Sequence, residues 1–564
     1  MSGQENTPAA AYDLVVVGSG AAGMAAALTA KIGGLDVAIV EKDSHFGGST
    51  AVSGGAIWIP NNPLMRAAGM EEDAEAAFTY LQGEVGNLMD TDLVRRFLKA
   101  GPEMVSFFQD NTALQFEHRA VSPDYHPDRP GASMGGRVLD AQTFDGRRLG
   151  KEFDRLKPPI GDFTLFGGMM LNRFDIGHFM NMTRKPGSAL HALRLLLRHG
   201  RDRLRHSRGT RLTLGQAVAG RLALSVLERD IPIFTGQALT ALLTDGAGRV
   251  TGIQTEAGGQ ITARCGVVLA TGGFPANAEM RAELMPHVAK GAQHFSMSPR
   301  PATGGAIGAA RAIGAHFIDT NRNAGFWAPV SLIPEGNGAT RPFPHLFLDR
   351  AKPGVIAVSP KGERFVNEAV SYHDFVSGMT RAGLKEAWLI CDHRALRRYG
   401  LGPVRPAPAP YRHHLRSGYL KKAATPAELA RRINLPPETL NRTIQAFNAD
   451  AAEGIDRQYG KGSTAYQTYL GDPDHCPNPC LNPLETGPFY AVRIFPGDIG
   501  TSMGLATDAD ARVLREDRSV IDGLYACGND MNSIMAGTYP GAGITLGPAL
   551  TFGYLAGRHA AGEG

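Results

Sequence analysis

Short runs of apolar residues that stop at glycine or at an acidic residue form the clearest pattern along this chain. The first run, residues 14–17, leads directly into the loop GSGAAG of residues 18–23, and residues 24–31 then have the composition of a helix. A second run, residues 36–40, stops at Glu41. Continuous apolar runs of this length are typical of buried parallel strands. The pattern therefore predicts a strand, a glycine-rich turn, a helix and a second strand.

The same pattern returns twice further along the chain. Residues 265–274, CGVVLATGGF, and residues 523–530, GLYACGND, each predict a strand that ends in glycine. The last glycine-rich loop, within residues 535–557, precedes a helix that we expect to begin near Ile544, and such a loop can present backbone N–H groups to an anion. Two short helices are predicted after N-caps at Thr425 and Pro436. This order of elements predicts an α/β fold.

Length, charge, apolar runs and cysteine spacing exclude several classes of protein. The chain has 564 residues, 43% of them hydrophobic and 20% charged, which is long enough for two domains. A net charge of +4 without a basic run interleaved with aromatic residues argues against a nucleic-acid partner. Because no apolar stretch reaches about 18 residues and the first residues lack a signal-peptide pattern, we expect a cytoplasmic protein. Cys476 and Cys480 lack a second ligand pair at zinc spacing, so a proline-rich surface loop is predicted there and no metal site.

The first glycine-rich loop has the spacing of a dinucleotide-binding turn. Gly18 permits the tight turn, Gly20 lets a pyrophosphate approach the backbone at the helix N-terminus, and Gly23 allows the helix to pack closely on the strand. Glu41 stands where an acidic residue accepts a hydrogen bond from a ribose hydroxyl. The sequence therefore predicts a dinucleotide site at the end of the first strand.

Later segments indicate that the dinucleotide is FAD. Small and hydroxyl-bearing residues crowd residues 45–58, and Asp530 is placed to hold a ribityl hydroxyl after the third predicted strand. No second unit for a nicotinamide is found, since the glycine-rich residues 302–314 follow SMSPRP, which does not read as a buried strand. Electrons are therefore predicted to pass to a quinone or another non-nicotinamide acceptor.

Taken together, the motifs resemble the fumarate reductase/succinate dehydrogenase flavoprotein superfamily, and within it most closely the 3-ketosteroid Δ1-dehydrogenases. The resemblance covers nearly the whole chain and is carried by residues 18–23, Glu41-Lys42, GGSTAVSGG, ATGGF, GERFVNEAVSY at 362–372, GLYACGND and TYPGAGITLGPALTFGY at 538–554. It implies a discontinuous, Rossmann-like FAD-binding domain of residues 1–295 and 490–564. An α+β catalytic domain, residues 296–489, is expected to be inserted in it, with the active site between the two.

The resemblance assigns a set of mostly small, hydroxyl-bearing and charged residues to the cofactor. Family members that attach FAD covalently use a histidine at the position of Ser49, so non-covalent FAD is implied, and no metal. The predicted cofactor residues are Gly18, Ser19, Gly20, Ala21, Ala22, Gly23, Glu41, Lys42, Gly48, Ser49, Thr50, Ser53, Gly54, Gly55, Thr271, Gly272, Gly528, Asn529, Asp530, Ile544 and Leu546.

The loop at residues 536–541 has a tyrosine where the dicarboxylate reductases of the superfamily have an arginine. A phenol and a backbone N–H suit a neutral carbonyl oxygen, because two donors on one oxygen stabilise an enolate. By resemblance, Tyr539 and the Gly543 amide are the ketone-polarising pair and Tyr372 is the general base. Tyr125 is expected to hydrogen-bond to Tyr372 and to lower its pKa, whose ordinary value is about 10. Ordinary packing or turn roles for the three tyrosines stay open.

The reaction implied is the 1,2-dehydrogenation of a 3-ketosteroid, with the C2 proton going to Tyr372 and the C1 hydride to the flavin. His126 and His373, adjacent in sequence to two of the tyrosines, are candidates to share the proton path. A Δ4-dehydrogenase, a dicarboxylate reductase and a non-enzymatic flavin scaffold at a membrane remain alternatives.

Residues 155–215 combine apolar side chains with many cations and form an insertion relative to shorter family members. Its basic residues include Arg184, Lys185, Arg194, Arg198, Arg201, Arg203, Arg205, Arg208 and Arg211. A basic amphipathic helix of this kind can lie on an anionic membrane without spanning it. Peripheral contact with the inner face of the membrane through residues 160–210 is predicted, with a solvated helix or a subunit contact as the alternatives.

Overall fold

Two large sheets carry the fold of the computed structural model, which describes residues 11–182 and 185–563. In chain order the strands are β1 Ala11–Val17, β2 Val37–Glu41, β3 Ile57–Trp58, β4 Phe116–His118, β5 Val138–Ala141, β6 Phe144–Asp145, β7 Thr164–Leu165, β8 Met169–Met170, β9 Arg211–Leu212, β10 Ile233–Thr235, β11 Leu239–Thr244, β12 Val250–Thr255, β13 Gln260–Leu269, β14 Phe295–Ser296, β15 Phe317–Ile318, β16 Gly325–Pro334, β17 Thr340–Pro344, β18 Val355–Val358, β19 Ala387–Cys391, β20 Lys421–Ala423, β21 Phe489–Thr501, β22 Gly504–Leu505, β23 Arg512–Leu514 and β24 Val520–Ala526.

The helices lie between these strands and cover the sheets. In chain order they are α1 Ala21–Ile32, α2 Gly48–Ala51, α3 Pro63–Ala67, α4 Ala76–Val85, α5 Thr91–Asn111, α6 Arg173–Asn181, α7 Pro186–Arg203, α8 Leu214–Leu227, α9 Ala278–Leu284, α10 Pro286–Ala289, α11 Gly305–Ala312, α12 Tyr372–Arg381, α13 His393–Tyr399, α14 Arg412–Arg416, α15 Pro426–Arg432, α16 Pro437–Glu453, α17 Ala465–Leu470 and α18 Leu546–Ala560.

The first sheet brings the predicted glycine-ended strands to one edge. Its order is β10-β2-β1-β13-β12-β11, and β24 pairs with β13. Val17 lies opposite Val40 and Leu269, and Leu269 lies opposite Ala526, all in parallel pairs. The carboxyl ends of β1, β2, β13 and β24 therefore meet, which is where open α/β sheets bind ligands.

Most predicted elements are present, with shifted ends. α1 begins at Ala21, three residues before the predicted start, because Gly20 already serves as its N-cap. α18 begins at Leu546 after the N-cap Thr545, which agrees with the predicted start near Ile544. The N-caps at Thr425 and Pro436 are confirmed. The prediction of a short second helix is wrong: α16 is 17 residues long, because its buried apolar face extends along the helix as far as Ala451.

The second sheet comes from the middle of the chain. Its order is β17-β16-β21-β19-β18, and β14 and β20 also pair with β21. β21 runs to Thr501 and pairs antiparallel with β16 and β19. The chain thus remains in the second sheet past residue 490, the position where the sequence placed its return to the first domain. α12 packs against β16, which brings this helix to the inner side of the sheet.

The predicted insertion forms a helical hairpin closed at its base by a strand pair. β6 pairs with β9, and Asp175 on α6 binds Arg211 at 2.8 Å and His191 on α7 at 2.9 Å. Two of the predicted surface cations face inward: Arg211 does so through this pair, and Arg208 is buried and donates to the carbonyl groups of Phe153 and Leu156. Arg184 lies outside the described residues.

The helices α1 and α18 pack closely against each other, and glycines of α18 form the contact. A Cβ added at Gly557 would lie 2.6 Å from the carbonyl oxygen of Ala26 and 2.8 Å from Cβ of Thr29. A Cβ added at Gly553 would lie 2.4 Å from the carbonyl oxygen of Ala22. The first α-helix can therefore approach the last one only where the chain has no side chain.

We expect Gly557→Ala to lower the free energy of unfolding by about 1–3 kcal/mol, because an extra methyl group in a close-packed contact is destabilising. Gly200→Ala is the matched control: Gly200 lies in the exposed part of α7 with no atom within 4 Å of an added Cβ, and alanine is the better helix former by about 1 kcal/mol. Thermal unfolding of the two FAD-loaded variants measures the difference. A stability of Gly557→Ala equal to that of Gly200→Ala would contradict the close contact.

Candidate active site

The first turn of α12 is the centre of the site. Ser371 caps the helix, accepting a hydrogen bond from the Asp374 N–H at 3.0 Å and donating to its carboxylate at 2.6 Å. The next three residues, Tyr372, His373 and Asp374, each contact a different part of the chain. Tyr372 and His373 are buried, with 3% of their surface exposed.

All three predicted tyrosines meet at this turn. The Tyr125 hydroxyl donates to the Tyr372 oxygen over 3.1 Å. The ring of Tyr539 lies 5.0 Å from that of Tyr372 and is stacked 5.6 Å from that of Tyr125. Each residue is at most 4% exposed. Three segments that are distant in sequence thus contribute phenols to one buried cluster.

Backbone contacts fix the loop that carries Tyr539. The Pro540 carbonyl accepts hydrogen bonds from the Tyr125 N–H at 2.8 Å and from the Tyr80 hydroxyl at 2.6 Å. The Gly543 carbonyl accepts from the Trp58 N–H at 3.1 Å. Gly543 has φ +94°, and a Cβ there would lie 2.6 Å from the carbonyl carbon of Ile57, so only glycine fits.

Burial dominates the protonation of the phenols. It raises the pKa of Tyr125 and of Tyr372 well above their ordinary value and raises the pKa of Tyr539 to about 12. The prediction of a lowered pKa for Tyr372 is therefore wrong: burial disfavours a phenolate there, and the neighbouring phenols of Tyr125 and Tyr539, including the hydrogen bond with Tyr125, raise the pKa further. All three tyrosines are neutral hydrogen-bonding groups at neutral pH.

The two histidines next to the tyrosines have structural contacts instead of free nitrogen atoms. Burial lowers the pKa of His373 to about 4. Its Nδ1 accepts from the Trp327 N–H at 3.1 Å, and its Nε2 lies 3.2 Å from Nδ2 of Asn323. The ring also hydrogen-bonds to the backbone of Gly537, two residues before Tyr539. His126 binds two carboxylates, Glu84 and Asp374, at 2.9 Å each. Neither ring has a nitrogen left for Tyr372, which argues against the predicted proton path through them.

The two arginines that interact electrostatically with Tyr125, Arg119 and Arg350, already have hydrogen-bond partners. Arg119 donates to Asp140 at 2.5 and 2.6 Å. Arg350 is 2% exposed, and its guanidinium donates to the carbonyl groups of His345, Leu346, Glu368 and Val370. Arg119 thus faces the Asp140 carboxylate, and Arg350 is committed to four backbone carbonyl groups, so a carboxylate substrate beside Tyr125 would compete with existing partners.

The first predicted cofactor loop has the shape of a phosphate cradle. Gly18 has φ +110°, and its Cβ would lie 2.2 Å from the carbonyl oxygen of Ala270. A Cβ at Gly20 would have one neighbour within 4 Å, Thr50 Oγ1 at 3.7 Å, so this side of the turn is open. α1 begins there without a side-chain cap or an acidic residue in its first turn. Its N-terminus is therefore suited to a pyrophosphate.

The predicted acidic residues tie the strand ends together. Glu41 Oε2 accepts from the N–H and the hydroxyl of Ser19 at 2.9 and 2.6 Å. Asp530 is fully buried and accepts from the backbone and hydroxyl of Thr271 and from the Gly273 N–H. Asp530 therefore fixes the loop after β13 with both of its carboxylate oxygens.

A small cavity lies at the edge where these strand ends meet. Its lining includes the predicted residues Gly528, Asn529 and Ile544, together with Thr545 and Pro548 at the start of α18. This cavity, the open turn at Gly20 and the uncapped helix ends fit a bound dinucleotide. The donor set of small residues and backbone N–H groups suits FAD.

The other predicted cofactor residues surround this edge. Lys42 donates to the Thr303 hydroxyl at 3.0 Å, and a Cβ at Gly272 would lie 3.9 Å from Ser49 Oγ. Thr50 accepts from the Ala21 N–H at 2.9 Å, and Ser53 donates to the Thr50 carbonyl at 2.8 Å. These two hydroxyl groups anchor the backbone of the cradle. Ala22, Gly23, Gly48, Gly54, Gly55 and Leu546 complete the predicted set.

Several residues of the site could not be identified from the sequence alone. Tyr80 binds the Tyr539 loop, Phe326 lies 5.5 Å from the Tyr539 ring, and the Tyr466 ring lies 4.6 Å from that of Tyr125. Trp58 donates to Asp124, the residue before Tyr125, at 2.9 Å. They come from separate elements and belong to no local motif, so only the tertiary structure identifies them.

The residues that the structure describes show neither a metal-binding group nor a membrane-spanning helix. Residues 11–182 and 185–563 contain no group of three or more histidine, cysteine or acidic side chains that could hold a metal ion. Cys476 is exposed, but Cys480 is buried and donates to the Gln467 carbonyl, which corrects the prediction that both lie on the surface. In the same residues, no helix has the length and apolarity needed to cross a membrane.

Comparison with known proteins agrees with this geometry. The family described as FAD binding domain matches residues 13–546. A 4-oxocyclohex-2-ene-1-carboxylate 5-dehydrogenase from Sinomonas cyclohexanicum is 39% identical over 98% of this chain and 94% of its own length. A 3-oxosteroid 1-dehydrogenase from Mycolicibacterium smegmatis is 38% identical over 99% of this chain and 97% of its own length.

A solved structure extends the comparison to the whole fold. The 3-ketosteroid delta1-dehydrogenase from Sterolibacterium denitrificans, in complex with 1,4-androstadiene-3,17-dione, is 38% identical and superposes with a TM-score of 0.90, covering 99% of this chain and 100% of that chain. This chain therefore belongs to the FAD binding domain family, in the group of FAD-dependent oxidoreductases that includes the 3-oxosteroid 1-dehydrogenases.

Proposed function

We propose that this protein is a 3-oxosteroid 1-dehydrogenase that removes hydrogens from C1 and C2 of a 3-ketosteroid. One observation carries the proposal: three buried, neutral phenols, of Tyr125, Tyr372 and Tyr539, meet in one cluster, and Tyr539 stands four residues before Gly543 in the chain. A neutral donor pair suits a ketone oxygen better than a carboxylate. Relatives of nearly the same length are named for this activity.

The residues divide the reaction between them. Tyr539 and the Gly543 N–H hold the C3 ketone and stabilise the enolate that forms when the C2 proton leaves. To take that proton, Tyr372 first has to lose its own hydroxyl proton; the phenolate then accepts the C2 proton and returns to the neutral phenol, while the Tyr125 hydroxyl hydrogen-bonds to the same oxygen. FAD held in the cradle of residues 18–23 would supply the acceptor for the C1 hydride. Because burial raises the pKa of Tyr372, proton loss and hydride departure have to be closely coupled.

A second candidate is the oxidation of a 4-oxocyclohexane ring that bears a carboxylate. It is favoured by the relatives from Sinomonas cyclohexanicum, at 39% and 35% identity. The ketone would use the same Tyr539 and Gly543 donors, but the carboxylate would need a cation. Because Asp140 already pairs with Arg119 and four carbonyl groups accept from Arg350, a carboxylate would have to displace existing partners, and the steroid is the better fit.

Three further assignments complete the proposal. FAD is non-covalent, because the hydroxyl of Ser49 cannot form the histidyl bond that the family uses. The FAD-binding domain is discontinuous, with the second sheet as the core of the inserted catalytic domain and a return of the chain after Thr501. The electron acceptor is a quinone or another non-nicotinamide compound, since one dinucleotide cradle is formed by the strands of the first sheet.

A membrane contact through α6 and α7 is supported by the side chains on their outer face. More than half of the exposed large apolar residues of the described chain lie between residues 163 and 204. We define the apolar face as Phe166, Phe174, Leu190, Leu193, Leu197 and Leu204, which are 49–83% exposed. Arg194, Arg201 and Arg205 are exposed beside it. Apolar side chains flanked by cations suit an anionic bilayer surface, the source of a steroid substrate.

Anaerobic titration distinguishes the two substrate classes. We expect 4-androstene-3,17-dione to bleach the flavin absorbance stoichiometrically, and 4-oxocyclohexanecarboxylate to leave it unchanged, because the ketone meets two neutral donors while the carboxylate would have to displace the partners of Arg119 or Arg350. The product should carry its new double bond at C1–C2 by NMR, and denaturation should release all flavin from the protein. Bleaching by the carboxylate alone would contradict the steroid assignment.

Two tyrosine variants separate the base from the ketone donor. Tyr372→Phe should lower turnover about 100- to 10,000-fold with little change in steroid binding, because it removes the base. Tyr539→Phe should lower it about 100- to 1,000-fold and weaken binding of the 3-keto product, because that donor already touches the ketone. In deuterated buffer, Tyr539→Phe should exchange the C2 hydrogen slowly and Tyr372→Phe hardly at all. Exchange at the wild-type rate in Tyr372→Phe would place the base elsewhere.

The membrane contact is tested with a double variant of the apolar face. Leu193→Ser with Leu197→Ser should move the enzyme from the pellet to the supernatant in sedimentation with phosphatidylglycerol vesicles, while turnover of a short soluble steroid stays unchanged. Ile455→Ser is the control, since Ile455 is 56% exposed but lies outside α6 and α7. Equal sedimentation of the double variant and wild type would reject the contact.

A further inference from the structure

His126, Glu84 and Asp374 form a charged cluster next to the tyrosines, and His126 directly follows Tyr125 in the chain. Nδ1 of His126 is 2.9 Å from Glu84 Oε2, and Nε2 is 2.9 Å from Asp374 Oδ2. Glu84 is buried, with 3% of its side chain exposed, and the side chains of His126 and Asp374 are each 31% exposed. The imidazole ring therefore joins α4, the loop after β4 and the first turn of α12.

The ring in this cluster is positively charged. Burial opposes the charge, but the carboxylates of Asp374 and Glu84 outweigh it and raise the pKa of His126 to about 10. His126 in turn contributes most to lowering the pKa of Asp374 to about 2 against its burial. The other groups that face the cluster are Arg129, which binds Glu84 at 2.7 Å, the Tyr80 hydroxyl and His373. The imidazolium is thus retained below about pH 10 and lost only above it.

The cluster spans the same gap as the hydrogen bond between the two phenols. His126 follows Tyr125 directly, and Asp374 lies two residues after Tyr372 in the turn capped by Ser371. The two contacts, 2.9 Å from His126 to Asp374 and 3.1 Å between the Tyr125 and Tyr372 hydroxyl groups, therefore run side by side between the same two segments. Removing the cation would also leave two carboxylates facing each other.

We propose that His126 is a positioning residue that, as a permanent cation between Glu84 and Asp374, holds the Tyr125 hydroxyl against Tyr372. It carries no proton during the reaction and acts on the rate only through Tyr125. This inference rests on the proposed function in so far as Tyr372 is the base of a ketone dehydrogenation. It adds a charged support to a cluster that is otherwise made of neutral phenols.

A double-mutant cycle between His126→Gln and Tyr125→Phe tests the proposal on the FAD-loaded enzyme. With His126→Gln alone, kcat should fall about 10- to 100-fold, since small misplacement of a catalytic group has effects of this size, while KM changes less than about threefold and flavin content is retained. In the Tyr125→Phe background the same change should have little further effect, because the group it positions is gone. The rate of C2 hydrogen exchange should follow the same pattern.

The controls separate this role from general stability and from the substrate assignment. His191→Gln removes a histidine with similar exposure and a carboxylate at 2.9 Å, and should leave kcat unchanged. The assay uses whichever ketone, steroid or 4-oxocyclohexanecarboxylate, bleaches the wild-type flavin, so failure of the steroid assignment leaves the cycle measurable. Multiplicative effects of the two changes would overturn the proposal. Should His126→Gln fail to fold, Asp374→Asn replaces it in the same cycle, with the same two outcomes.

Discussion

The exclusion of water from the three phenols is the constraint on which the site depends. A buried phenol is a poor acid because burial raises its pKa, and it can act as a base only after it has lost its own proton. The chain meets this requirement with the first turn of α12. Tyr372 faces Tyr125 and Tyr539, His373 holds the Trp327 backbone and the Gly537 region, and Asp374 binds His126. One helical turn thus sets the positions of three segments that are far apart in sequence.

This arrangement also explains why the site lies where it does. The strand ends of the first sheet and the start of α18 form the cofactor cradle, and the Tyr539 loop immediately precedes α18 in the chain. Gly543, between the two, is fixed by its contacts with Ile57 and Trp58. The proposed ketone donors and the cofactor cradle are therefore connected by a few residues of backbone, while the proposed base, Tyr372, lies on α12, which packs against the second sheet.

Local sequence patterns were sufficient for the parts that depend on local physics. The apolar runs, the glycine spacing of residues 18–23 and the cap at Thr425 each follow from neighbouring residues, and the structure contains all of them. The meeting of Tyr125, Tyr372 and Tyr539 came from family resemblance. Tyr80, Phe326 and Tyr466 could not be predicted, because their roles depend on packing between distant segments. The direction of the Tyr372 pKa was predicted wrongly for the same reason: burial is a tertiary property.

The most direct test of the central claim is a crystal structure of the FAD-bound enzyme with a 3-ketosteroid. The geometry predicts the C3 oxygen within hydrogen-bond distance, about 3 Å, of both the Tyr539 hydroxyl and the Gly543 N–H, with the Tyr372 hydroxyl facing C2. A steroid whose ketone is held by a charged side chain, or whose C2 lies out of reach of Tyr372, would contradict it.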